Sequence, residues 1–95
     1  MSSIGFIERL EGIIDERLDG PAEGSYTASL AAAGIKRVAQ KVGEEGVEVA
    51  LAAVSGDRDE TLNEAADLVY HLLILLKVSD LQIADVARTL EERHI

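Results

Sequence analysis

The sequence predicts an all-α fold, and three observations support that. Apolar residues recur at steps of three and four along most of the 95-residue chain, the spacing of one face of a helix. No window alternates apolar and polar positions with β-branched side chains, as a half-buried strand would. The breaks between periodic segments carry Gly and Pro, then Ser or Asp followed three residues later by Glu or Gln, which are helix-ending and helix-starting signals.

In the first segment, Ile4, Ile7, Leu10, Ile14 and Leu18 form an apolar stripe with Glu8, Arg9, Glu11, Asp15 and Glu16 between them, an amphipathic helix. DGPAEGS, residues 19 to 25, holds two glycines and the only proline and ends it. Ser25 or Thr27 can cap a short helix, TASLAAA, that stops at Gly34. A long helix is expected from Ile35 to Val54. SGDRD, residues 55 to 59, is a tight polar connector, and Asp57 with Glu60 has the form of a capping box opening a helix that runs to about Val78. Ser79 with Gln82 repeats that signal, and Ile83, Val86, Ala87 and Leu90 give a last helix its stripe.

With no internal repeat, no low-complexity tract and no linker, residues 1 to 95 read as one domain. A core this small makes it plausible that a second copy shares an apolar face. The net charge of -9, from 18 acidic and 9 basic residues, argues against nucleic acid as the main partner, since that affinity rests on Lys and Arg neutralising phosphates. The absence of cysteine excludes disulfides, thiolate metal sites and a cysteine nucleophile. The start, MSSIGFIERLEG, has no basic region followed by an apolar one, and the run from Leu68 to Leu76, broken by Tyr70 and His71, is too short for a membrane span. A soluble, cytoplasmic protein is expected.

The chemistry is concentrated in KVGEEGVEVA, residues 41 to 50. On a helix of roughly 100° per residue, Glu45 and Glu48 lie about 60° apart, and Glu44 and Lys41 share their sector. Ile35, Val38, Val42 and Val49 flank that sector on one side and Val47, Leu51 and Val54 on the other. In the next helix Glu64 and Asp67 are three apart, with His71 four beyond Asp67. Helices joined by a short loop run antiparallel, so a turn near residues 56 and 57 sets Glu48 opposite Glu64 and Glu45 opposite Asp67. Four carboxylates between apolar walls cannot all stay ionised without a cation. Oxygen ligands point to Mg²⁺ or Mn²⁺ rather than zinc.

Blander readings stand beside these. A Glu-Glu-x-x-Glu run is ordinarily a solvated helix face; the matched heights and apolar flanks set this one apart. His71 is as readily a hydrogen-bonded core histidine as a site residue. Glu91 and His94 have the spacing of a di-iron motif, but in one copy at the chain end, which disfavours that reading. Lys36, Arg37, Lys41 and Arg58 could hold phosphate oxygens or be ordinary surface charge. Gly43 and Gly46 weaken their helix, either for close helix packing or to leave room for a ligand.

SYTASL (25 to 30), Gly34, KVGEEGVEVALA (41 to 52), the Gly56-Asp57 connector and NEAADLVYHLLILL (63 to 76) together resemble phosphoribosyl-ATP pyrophosphohydrolases of histidine biosynthesis. These lie within the MazG-like all-α nucleoside triphosphate pyrophosphohydrolases. The likeness runs in order from Ser25 to His94; the first 24 residues match only as an amphipathic helix.

The resemblance implies a chain of four to five helices forming a MazG-like bundle completed by homodimerisation. It implies Mg²⁺-dependent hydrolysis of 1-(5-phosphoribosyl)-ATP to 1-(5-phosphoribosyl)-AMP and pyrophosphate. The superfamily's Glu-x-x-Glu and Glu-x-x-Asp metal motifs fall on Glu45, Glu48, Glu64 and Asp67. Glu44 or Glu48 would orient or deprotonate the attacking water. The family's Ser-Tyr-Thr element falls on Ser25, Tyr26 and Thr27, its lysine on Lys41 and its Tyr-His pair on Tyr70 and His71, all expected at the substrate. A separate phosphoribosyl-AMP cyclohydrolase, an activity fused to this domain in some relatives, could be a partner. The alternatives are a house-cleaning nucleoside triphosphate pyrophosphohydrolase, which would share the metal site, and a non-catalytic helical dimer.

Overall fold

The computed structural model describes residues 3 to 95; positions 1 and 2 of the expected domain lie outside the described residues. Five α-helices follow a 3-10 turn at Ser3–Gly5: α1 (Phe6–Leu18), α2 (Tyr26–Ala32), α3 (Ile35–Ser55), α4 (Arg58–Val78) and α5 (Ile83–Arg93), with no strand among the described residues. No helix of the described residues is long and apolar enough to cross a membrane.

The expected elements form where the sequence places them, and the caps explain why. Ser25 accepts a hydrogen bond from the Ala28 N–H and opens α2. Gly34 stands between α2 and α3 at φ 105°, a backbone conformation that penalises any residue with a Cβ. Gly56 ends α3 in the left-handed region at φ 80°. Asp57 then begins α4 at once, its Oδ1 accepting from the Glu60 N–H at 3.0 Å. A connection this short folds α3 and α4, each 21 residues long, into an antiparallel hairpin roughly 30 Å in length.

The last helix starts differently from the expectation. Ser79 is not its cap, because the Ser79 N–H is still committed to the Leu75 and Leu76 carbonyls at the end of α4. The chain reverses at Asp80, φ 58°. Gln82 and Asp85 form the capping box instead, with the Gln82 N–H donating to Asp85 Oδ2 at 2.9 Å.

One core joins four helices: Ile14 of α1, Leu30 of α2, Val38 of α3, and Leu73 and Ile74 of α4. Ile14, Val38, Leu73 and Ile74 are completely buried, and each such side chain contributes about 1.5–3 kcal/mol through removal from water. Ile83 of α5 packs at the edge of this core. The Ile83 N–H donates at 2.7 Å to Oε2 of Glu11, a nearly buried carboxylate that meets the positive end of the α5 dipole. Lys77 pairs with Asp15 at 2.8 Å, tying the end of α4 to α1.

Two apolar groups flank the acidic sector of α3, as expected, but they differ in fate. Val38 is buried, whereas Val47, Leu51 and Val54 are 60%, 64% and 87% exposed, with Leu62 of α4 exposed beside the hairpin turn. A Cβ added at Gly43 or Gly46 would meet nothing within 4 Å, so neither glycine serves close helix packing within this chain.

Candidate active site

The α3–α4 hairpin brings Glu45, Glu48 and Glu64 together. One carboxylate oxygen from each lies within 4.8 Å of the others, and this is the only such group among the described residues. Glu45 and Glu48 stand one turn apart on α3, and Glu64 faces them from α4 because the two helices leave the tight Gly56-Asp57 turn antiparallel. Asp67 is exposed and outside the group, so three of the four expected metal ligands gather and the fourth lies one turn further along α4.

The electrostatics of this trio are unfavourable without a counter-charge. Glu45 is only 6% exposed, and both its Oε2 and the Oε2 of Glu64 are buried with no hydrogen-bond partner. The Glu64 carboxyl is pushed up to about 7, first by sharing a hydrogen bond with Glu48, then by desolvation, by a hydrogen bond to Glu60, by the Glu48 charge and by Glu45. A proton thus holds the cluster together near neutrality, and a cation could take its place. The donor set is all carboxylate oxygen, which suits Mg²⁺ or Mn²⁺. Glu60 is the acid that the sequence reading missed. Its place in the Asp57 capping box accounts for it without any site role, and its i,i+4 spacing to Glu64 is the signal that points to the cluster.

Lys41 is the nearest cation, 3.6 Å from Glu45 Oε1 and 4.0 Å from Glu44 Oε1. Glu44 itself turns away from the trio. It lies 4.0 Å from Arg37 and accepts from Gln40 at 3.3 Å, so of the two expected water-activating acids only Glu48 stands in the cluster.

The remaining expected residues form a second constellation between the first turn of α2 and α4. The Tyr26 hydroxyl lies 2.6 Å from His71 Nε2, and His71 Nδ1 lies 2.8 Å from the Asp67 carbonyl oxygen. Thr27 Oγ1 bonds the Tyr70 hydroxyl, which also accepts from Arg17 at 3.2 Å. Thr27 and His71 are 1% and 7% exposed, whereas Tyr26 is 55% exposed. The surface thus offers a ligand Tyr26, the edge of Tyr70, the Ser25 cap and Lys41, while Thr27 and His71 are spent inside the protein.

The chain's likeness to known proteins covers these same elements. The family model described as phosphoribosyl-ATP pyrophosphohydrolase matches residues 7–94. The histidine biosynthesis bifunctional protein HisIE of Photobacterium profundum is 55% identical over 89 residues, 94% of this chain and 43% of that protein. Its counterpart in Vibrio cholerae is 54% identical over 93 residues, 98% of this chain and 44% of the relative. That of Escherichia coli O157:H7 is 55% identical over 89 residues, 94% and 44%. The chain therefore spans less than half the length of these curated relatives. With a family match across almost every residue, from the first helix through the paired carboxylates to His94, this chain belongs to the phosphoribosyl-ATP pyrophosphohydrolase family.

Proposed function

We propose that the chain hydrolyses 1-(5-phosphoribosyl)-ATP to 1-(5-phosphoribosyl)-AMP and pyrophosphate, a step of histidine biosynthesis, with Mg²⁺ held by Glu45, Glu48 and Glu64. The observation that carries this reading is the carboxylate trio with two orphaned buried oxygens, in a family named for that reaction. When bound, the cation would supply charge neutralisation at the triphosphate, which a chain of net charge -9 would otherwise repel.

The chain's own groups divide the remaining work. Glu48 is the solvent-exposed member of the trio, so its carboxylate is the one placed to accept a proton from an incoming water. Lys41 Nζ, beside Glu45, is placed to turn from the acids to phosphate oxygens. Asp67, one turn from Glu64, would join the ligand set by a side-chain rotation. The Ser25 hydroxyl, whose oxygen already accepts from Ala28, retains its proton for a substrate oxygen.

The bare stripe of Val47, Leu51 and Val54 supports a homodimer in which a second copy covers it. The bifunctional names of the relatives support a phosphoribosyl-AMP cyclohydrolase as the functional partner. The test is pyrophosphate release from phosphoribosyl-ATP against ATP, dUTP and dCTP, each with and without Mg²⁺. Mg²⁺-dependent turnover of phosphoribosyl-ATP is expected. Turnover of the free nucleotides alone would point instead to a house-cleaning hydrolase.

A further inference from the structure

We infer that His71 is a positioning residue: through its ring it fixes the Tyr26 hydroxyl as a hydrogen-bond acceptor for a sugar hydroxyl or base amino group of the nucleotide. The inference rests on the proposed function for the identity of that nucleotide, and on the structure for the rest.

The direction of each hydrogen bond follows from what its partner can do. A backbone carbonyl only accepts, so His71 Nδ1, 2.8 Å from the Asp67 oxygen, carries the ring proton. In the neutral ring Nε2 is then a bare lone pair, and the Tyr26 hydroxyl at 2.6 Å donates to it. The phenol has given its only proton, and what it presents to solvent are lone pairs. Phosphate oxygens have no proton to offer it near neutral pH, whereas sugar hydroxyls and amino groups do. Tyr26 is therefore a contact for the nucleoside or ribose and not for the triphosphate.

Rigidity and location support the same assignment. The Tyr26 and His71 rings meet edge to face, with centroids 5.7 Å apart at 88°. The neighbouring pair, Thr27 with Tyr70, fastens the next residue of α2 to the preceding residue of α4, so the first turn of α2 is held at two points. His71 stands seven residues beyond Glu64, two helical turns or roughly 10 Å along α4. A nucleoside triphosphate anchored by its phosphates at the acids can reach that far.

The ring state is tested directly by nitrogen NMR, and the two histidines of the chain make the spectrum simple. His71 should show a protonated Nδ1 and a bare Nε2, the less common tautomer of free histidine, and Tyr26→Phe should shift Nε2 while Tyr70→Phe should not. An Nε2-protonated or doubly protonated ring, or one that ignores Tyr26→Phe, overturns the inference. Kinetics test the role. Tyr26→Phe should raise KM for phosphoribosyl-ATP about three- to tenfold, the size of one neutral hydrogen bond, with a smaller change in kcat.

His71→Asn keeps the donor to Asp67 and loses the acceptor, so it should match Tyr26→Phe, and the double variant should be no worse than either single one. His71→Gln, which can offer an acceptor near the Nε2 position, should recover part of the loss. Multiplying losses in the double variant, or an unchanged KM in Tyr26→Phe, would overturn the role. Should His71 variants fail to fold, Tyr26→Phe, altered at an exposed side chain, decides the case. Absence of phosphoribosyl-ATP turnover in the wild type would strike the proposed function, and the nitrogen spectra would then decide the His71 assignment alone.

Discussion

Replacing the proton on Glu64 by a divalent cation should leave a measurable trace in pH. The Glu64 carboxyl is pushed up to about 7 by Glu48, desolvation, Glu60 and Glu45, and a cation bound to the trio must displace that proton. At pH 7 about half of the molecules carry it, so binding should release about half a proton per chain, rising to about 0.9 at pH 6 and falling to about 0.1 at pH 8. The same competition weakens apparent affinity about elevenfold at pH 6 but only about 1.1-fold at pH 8, a roughly tenfold gain in affinity across that interval. Titration calorimetry of Mg²⁺ into metal-free protein, in buffers of differing ionisation enthalpy at pH 6, 7 and 8, reads both quantities. Glu64→Gln should lose the linked proton together with most of the affinity. Equal affinity at pH 6 and pH 8 with no proton released would refute the reasoning.

The same group sets the pH dependence of stability without metal. Its folded pKa, about 7, lies above the ordinary 4.5, so its stabilising share is complete below about 4.5 and is lost as pH rises to and through about 7. Metal-free protein in chelator should therefore melt at a higher temperature at pH 5 than at pH 8, and Glu64→Gln should flatten part of that fall; an unchanged slope in the variant would remove Glu64 as its source. Glu11→Ala strips the carboxylate from the Ile83 N–H and should destabilise by about 1–3 kcal/mol. Amide exchange should quicken from Ile83 through α5 while Leu73 and Ile74 stay protected, and exchange unchanged at Ile83 would show that Glu11 does not hold α5. Gly43→Ala places a methyl where nothing lies within 4 Å and should raise stability by about 0.5–1 kcal/mol. A loss in denaturant titration would mean that a second chain packs against that backbone.

Local signals carried most of the fold because this fold is built from local signals. Ser25, Gly34, Gly56 and Asp57 each cap or end a helix through contacts within four residues, so their meaning is readable from spacing alone. Ser79 misled because its backbone N–H was already taken by the end of α4, which a capping pattern does not reveal. Spacing did bring Glu45, Glu48 and Glu64 into one cluster, because one tight turn fixes the register of two helices. It stopped short at Asp67, whose side chain lies outside the group. What spacing could not show was any contact between distant segments. Glu11 and Ile83 are 72 residues apart and Tyr26 and His71 are 45 apart; neither pair leaves a trace in periodicity. The resemblance puts Thr27 and His71 at the substrate; both are buried, 1% and 7% exposed, and hydrogen-bond Tyr70 and Tyr26, contacts that spacing does not reveal.

The carboxylate trio as the hydrolytic centre is tested most directly by Glu48→Gln, which removes a charge but no volume. Pyrophosphate release from phosphoribosyl-ATP, followed over a Mg²⁺ titration, should fall at least about a hundredfold in the variant, with helical content equal to that of the wild type. Full Mg²⁺-dependent activity in a folded Glu48→Gln protein would contradict the assignment.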